Sequence, residues 1–192
     1  MNFIIYDLEA TCWEGKPNGF EQETIEIGAV CLDDYGEFLG SYNRFIKPIL
    51  NPYLSPFCKD LTSITQEEVN RARVFPKVIE EFQDWAEIFE KDYLLCSWGS
   101  FDKKMFINDC LLHKIDHDWV ENHINLKKQY HEFKKLRRPC GLKKAVEKEG
   151  FEFTGIHHRG ISDAENLAKV FKKHLDVWQF CAELSFVRRI NT

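Results

Sequence analysis

Two carboxylates placed directly behind an apolar run set the first constraint on this chain. Phe3-Ile4-Ile5-Tyr6 reads as a short buried strand, and Asp7 and Glu9 follow it in the stretch FIIYDLEAT. Residues i and i+2 of a strand face the same way, so both acids project from one face at the strand's end. Side by side there they repel each other and lose hydration. A hard divalent cation with oxygen ligands is the natural offset. The plainer alternative, a strand that stops here with both acids solvated, is the commoner outcome for a bare Asp-x-Glu triplet.

The rest of the pattern predicts one α/β domain. Ile25 to Leu32 and Ser41 to Ile46 read as two further strands, joined by the turn Asp33-Asp34-Tyr35-Gly36 into an antiparallel meander. Pro48 and Pro52 open a loop reaching Leu61. Thr65 with Glu68 forms a capping box at a helix start, and Val78, Phe82, Trp85, Ile88 and Phe89 repeat at helical spacing after Pro76. Tyr93 to Trp98 is a fourth strand and Phe101 to Leu112 a helix, while Ile124 to Phe133 fits either state. Leu142 to Glu149 is a helix ended by Gly150. The last helix runs from Ser162, capped by Ser162 and Glu165, to about Leu175. Three strands, a helix, a strand and then helices argue for a mixed sheet covered by helices. No repeat, low-complexity stretch or long linker divides the chain, and 192 residues suffice for one sizeable domain.

Charge is unevenly spread. The net charge of −5 gives no global reason to expect a nucleic-acid partner. Residues 127–144 nevertheless hold Lys127, Lys128, Lys134, Lys135, Arg137, Arg138, Lys143 and Lys144 against one acid, Glu132. A basic strip on an acidic body can grip a polyanion at one place, or can be an ordinary solvated face. Seven cysteines without a Cys-x-x-Cys pair suggest neither a disulfide framework nor a zinc knuckle, and reduced thiols fit a cytoplasmic location. No apolar run approaches the ~18 residues of a membrane span.

Two further acids and one histidine stand at element junctions. Asp102, in LLCSWGSFD, follows the fourth strand and the Gly99 turn, near the sheet edge where open α/β sheets collect ligands. By itself it reads more readily as a first-turn acid favoured by the helix dipole. Asp163 opens the last helix, and His158 lies five residues before it across Gly160. That placement lets the imidazole swing over the same site, although a lone histidine is more often a surface residue. His113 and His117 have helical spacing without an HExxH context, which favours an exposed pair over a metal site.

Taken in order, these features resemble the DEDDh exonucleases, a ribonuclease H-like superfamily, and within it the Eri-type exoribonucleases and bacterial KapD-like exonucleases. The matching stretches are DLEATCW (7–13), IEIGAV (25–30), FCKDLTSITQEEV (57–69), WGSFDKKMF (98–106), INLKKQY (124–130) and HHRGISDAEN (157–166). The resemblance implies a ribonuclease H-like domain over residues 1–175, with 176–192 as an unassigned extension that Trp178, Phe180 and Phe186 could pack onto it. It implies a two-metal hydrolase using Mg²⁺ or Mn²⁺ that acts on single-stranded RNA or DNA 3′ ends and releases 5′-mononucleotides. Asp7, Glu9, Asp102 and Asp163 would hold the cations, and His158 would be the general base. Ala10, Thr11, Leu61 and Ile64 would hold the terminal nucleotide, with Phe101 stacking on a base; for Phe101 and Ile64 ordinary core packing is the competing role. Lys134, Lys135, Arg137 and Arg138 would track the backbone. No SAP module is evident, so stem-loop or ribosomal RNA specificity does not carry over, and no protein partner is implied.

Two rivals remain at this point. A phosphatase of the haloacid-dehalogenase type shares the look of FIIYDLEAT, but Glu9 replaces the second Asp and no GDxxxD-like pair follows. A non-catalytic nucleic-acid-binding module would keep the fold without its chemistry.

Overall fold

A computed structural model describes residues 1–15 and 19–180; Phe186 lies outside them. Its centre is a mixed sheet in the order β4-β3-β2-β1-β5-β6. Strand β1 (Asn2–Ala10) pairs antiparallel with β2 (Thr24–Leu32), which pairs antiparallel with β3 (Phe38–Lys47). On its other side β1 runs parallel to β5 (Tyr93–Ser97), and β5 parallel to β6 (His123–Asn125). The two-residue β4 (Arg73–Val74) closes the far edge.

Strand periodicity sorts β1 between two cores. Ile4, Tyr6 and Leu8 face one layer, built with α3 (Phe75–Trp85) and α4 (Phe101–His113). Phe3 and Ile5 face the other, built with α5 (Leu126–Phe133), α6 (Leu142–Lys148) and α7 (Gly160–Lys173). Asp7 and Glu9 continue the register of Phe3 and Ile5, which aims them toward α7. Helix α7 lies against β1 and β2 so closely that a Cβ on Gly28 would stand 1.9 Å from the Gly160 carbonyl carbon. Only glycine permits that crossing.

A third cluster, Ile25, Leu54, Cys58, Ile64 and Val69, docks α1 (Pro56–Thr62) and α2 (Gln66–Arg71) at the end of the sheet. Here the structure corrects the sequence reading, because the segment to Leu61 is not all loop. Ser55 caps α1 by accepting the Cys58 N–H (3.0 Å), and Pro56 occupies its first turn. The capping box at Thr65 and Glu68 forms as expected. Helix α3 stops at Trp85, and Ile88 reaches the core from the following turn while Phe89 stays exposed. The ambiguous stretch divides into β6 and α5, with the Asn125 side chain capping the helix at Lys128 N–H (3.0 Å). Trp178 is buried and donates its indole N–H to the Phe171 carbonyl (2.9 Å), while Phe180 packs on Phe3. No helix among the described residues is long and apolar enough to cross a membrane.

Candidate active site

Strands β1 and β5 pair only as far as Ile5 and Cys96. Beyond that point they part, and the freed Leu8 N–H donates to Asp102 Oδ1 at 3.2 Å. Asp102, in the first turn of α4, thereby leans over the end of β5 onto β1. From the opposite layer the first turn of α7 delivers Asp163. Its carboxylate, with those of Asp7 and Glu9, offers oxygens that all lie within 4.8 Å of one another. Acids from three separate stretches of chain thus gather at the opening between two strands: Asp7, Glu9 and Asp163 as one cluster, with Asp102 held beside it at Leu8.

Among the described residues none of the four forms an ion pair, and Arg159 beside them is paired with Glu26. Burial, followed by the charges of Asp102, Asp163 and Glu9, holds the Asp7 carboxyl well above the usual range. Burial and the same neighbourhood push Glu9 up to about 9, and burial raises Asp102 and Asp163 to about 6 each. One oxygen of the group, Asp163 Oδ1, is buried without a hydrogen-bond partner. A cluster of all-oxygen donors with an unsatisfied buried lone pair and unoffset charge fits a hard divalent cation.

His158 adjoins the cluster. Its backbone N–H donates to Asp163 Oδ2 (3.1 Å) and its φ of +64° places it in the left-handed region, which is uncommon for a residue with a side chain. A ring nitrogen of His158 lies within 4.8 Å of an Asp163 oxygen, and burial followed by the nearby His157 lowers its pKa from the ordinary imidazole value.

The expected start of α7 at Ser162 needs correction. The helix begins at Gly160, and Ser162 accepts the Ile156 N–H (3.3 Å) without capping anything. The cap comes from across the sheet, because Glu26 accepts the Gly160 N–H at 3.0 Å. Glu26 also takes a two-pronged pair from Arg159, Nε to Oε2 and Nη2 to Oε1, both at 3.1 Å. Sequence reading passed over both residues. One signal was available, since Glu26 is a charge set between Ile25 and Ile27 in a strand otherwise apolar enough to be wholly buried.

The residues expected to hold a nucleotide divide into two groups. Leu61 and Phe101 are exposed at the surface (38% and 46%). Ala10 and Thr11 are buried, and the Thr11 hydroxyl accepts the Glu23 N–H (2.9 Å). Ile64 is fully buried in the third cluster, as its core role requires. In the basic strip, Lys134 departs from expectation by pairing with buried Glu149 at 2.8 Å. Lys135 sits exposed in a left-handed turn (φ +50°), and Arg137 and Arg138 line a surface groove. His113 stacks on Phe75 at the end of α4, while His117 lies outside that helix.

Comparison with known proteins gives one consistent result. The exonuclease family model RNase_T matches residues 4–171. The chain is 36% identical over 174 residues to human 3′-5′ exoribonuclease 1, covering 86% of this chain and 50% of that protein, so it spans about half that relative's length. It is 31% identical over 174 residues to the probable 3′-5′ exonuclease KapD of Bacillus subtilis, covering 89% and 83%. Among solved structures, the nuclease domain of 3′hExo, a DEDDh family member bound to rAMP, superposes with a TM-score of 0.85 at 34% identity, covering 91% of this chain and 92% of that one. A 3′-exonuclease solved for 3′-end specific recognition of a histone mRNA stem-loop matches with a TM-score of 0.85 at 33% identity, covering 91% and 81%.

Proposed function

The chain belongs to the RNase_T exonuclease family, in its DEDDh branch, and from that premise we propose that it is a 3′–5′ exonuclease of single-stranded nucleic acid. It hydrolyses the terminal phosphodiester and releases 5′-mononucleotides. Asp7, Glu9, Asp102 and Asp163 hold two divalent cations, Mg²⁺ or Mn²⁺, whose four positive charges match four carboxylates. Bound there, the cations supply charge compensation for the entering and leaving oxygens of an in-line displacement.

The chain's own residues supply the rest. A lowered pKa keeps His158 neutral near pH 7, so its imidazole is free to accept a proton from the attacking water. Its backbone bond to Asp163 holds that base beside the carboxylates. Phe101, half exposed at the start of α4, offers a ring face to a base, and stacking of this kind is worth ~1–3 kcal/mol and tolerates any sequence. Leu61 stands exposed for apolar contact with the same nucleotide. RNA is the first polymer to test, because the human relative is an exoribonuclease and a solved neighbour carries rAMP.

The observation that carries this reading is the convergence of Asp7, Glu9 and Asp163 oxygens within 4.8 Å, with one Asp163 oxygen unpartnered. The test is digestion of matched 5′-labelled RNA and DNA oligonucleotides, single- and double-stranded, with Mg²⁺ or Mn²⁺. Wild type should give a ladder shortening from the 3′ end, and Asp7→Asn should be slower by about 1000-fold, the ~4 kcal/mol expected when cation-borne charge stabilisation is lost. Equal shortening by both proteins would mean contamination and leave a non-catalytic binding module. A phosphoenzyme trapped on Asp7 would favour the phosphatase.

A further inference from the structure

Some cations of this chain pair with a carboxylate, as Lys134 and Lys173 do at Glu149 and Arg159 does at Glu26. Four neighbouring ones form no ion pair among the described residues. Arg137, Arg138, Lys144 and Lys148 line a single groove of about 730 Å³. Lys144 and Lys148 are exposed four residues apart on α6, a spacing at which like charges repel by about 0.2–0.5 kcal/mol. Arg137 and Arg138 approach the same hollow from the loop before that helix. The fold itself leaves this repulsion unrelieved, and a run of phosphates would relieve it.

The groove also stands beside the acid pocket. Its wall is tied down by the Trp98 indole N–H, which donates to the Cys140 carbonyl (3.1 Å), and Trp98 begins the short turn that ends in Asp102. The segment that leads to Asp102 therefore touches the groove's rim.

We propose that this groove is a phosphate-binding exosite that grips the same strand upstream of the nucleotide being removed, so that the enzyme favours long strands over short ones. The assignment rests on the exonuclease reading for its occupant, a single-stranded polynucleotide. It replaces Lys134, which is committed to Glu149, with Lys144 and Lys148.

The test compares a dinucleotide with a long 5′-labelled oligonucleotide, using wild type, Arg137→Gln/Arg138→Gln and Arg137→Lys/Arg138→Lys. The Gln double variant should lower the ratio of kcat/KM on the long strand to that on the dinucleotide by about tenfold, within the range for two exposed ion pairs. The slope of log KM against log salt on the long strand should flatten by about 1.4, since each phosphate contact of a single strand contributes about 0.7. The Lys variant should keep most of both. An unchanged ratio and slope overturn the exosite, as does an equal loss on both substrates. If wild type cuts neither substrate, the exonuclease reading has failed. Fluorescence anisotropy of the same oligonucleotide then tests the groove alone, and an unchanged salt slope in the Gln variant overturns it.

Discussion

Two carboxylate sites at opposite ends of α7 meet opposite electrostatic fates. At the helix's C-terminal end Glu149 is 7% exposed, yet Lys134 Nζ lies at 2.8 Å, Tyr130 Oη at 2.7 Å, His174 Nε2 at 2.9 Å and Lys173 Nζ at 3.1 Å. Burial works to raise its pKa, but these donors bring it down to about 2. At the N-terminal end Asp7, Glu9, Asp102 and Asp163 are held above their ordinary values. Glu9, Asp102 and Asp163 are as little exposed as Glu149; what differs is whether the chain carries its own counter-charge. Glu149 is complete and therefore structural. The four acids have no such set of donors, which is what the proposed cations would supply.

The largest expected effect tests that contrast through stability. Glu149→Ala removes the shared acceptor of several donors and should cost about 3–5 kcal/mol in urea unfolding, with kcat per folded molecule retained. Asp7→Asn should instead raise the stability of the metal-free protein, because it removes a repelling charge. A neutral Glu149→Ala, or an Asp7→Asn that destabilises the metal-free protein, would erase the distinction.

Metal and pH sharpen it next. A divalent cation at a hundredfold its Kd should add about 2.7 kcal/mol to wild type, survive in Glu149→Ala and largely vanish in Asp7→Asn. The pH limbs have opposite signs. Acids whose folded pKa is raised contribute stability that is full at low pH, so the metal-free protein should weaken as pH climbs through about 6, for Asp102 and Asp163, toward about 9, for Glu9. Glu149 has a depressed pKa, so its contribution is present above the usual carboxylate range and is lost as pH falls toward about 2. Thermal melts across pH should show the cation flattening most of the alkaline limb and sparing the acid one. Equal flattening of both would refute separate origins.

Legibility in the sequence followed the range of the interactions. The strands β1, β2 and β5 were readable because their apolar runs are local, and the capping box at Thr65 and Glu68 because both partners lie within four residues. Asp7 and Glu9 could be placed on one face from strand periodicity alone. Asp102 and Asp163 carried no such local signal, and only the order of motifs joined them to the first pair. Helix α1 lies inside the stretch that Pro48 and Pro52 open as a loop, although Ser55-Pro56 is a cap followed by a first-turn proline. The start of α7 is legible only to within two residues, since its cap is Glu26, more than a hundred residues away. Lys134 looked like one member of a basic strip because its partner Glu149 lies on a different turn of chain.

Glu26 is the intermediate case, a buried carboxylate neutralised by one partner and placed within the functional layer. It stands opposite Glu9 in the β1–β2 register and binds both Arg159 and the Gly160 N–H. The segment so pinned runs from His158 to the first turn that carries Asp163, and the Gly28–Gly160 contact leaves it no room to shift toward the sheet. Arg159 is thus a positioning residue, and its planar fork matters more than its charge. Arg159→Lys keeps the charge but can serve only one direction at a time. It should lower kcat by about tenfold, roughly 1.4 kcal/mol, with KM little changed, because the displaced groups act in the transition state more than in binding. A rise in KM with kcat intact would mean that Arg159 contacts the substrate itself, and Glu26 would then belong with the incomplete site and not with the structural one.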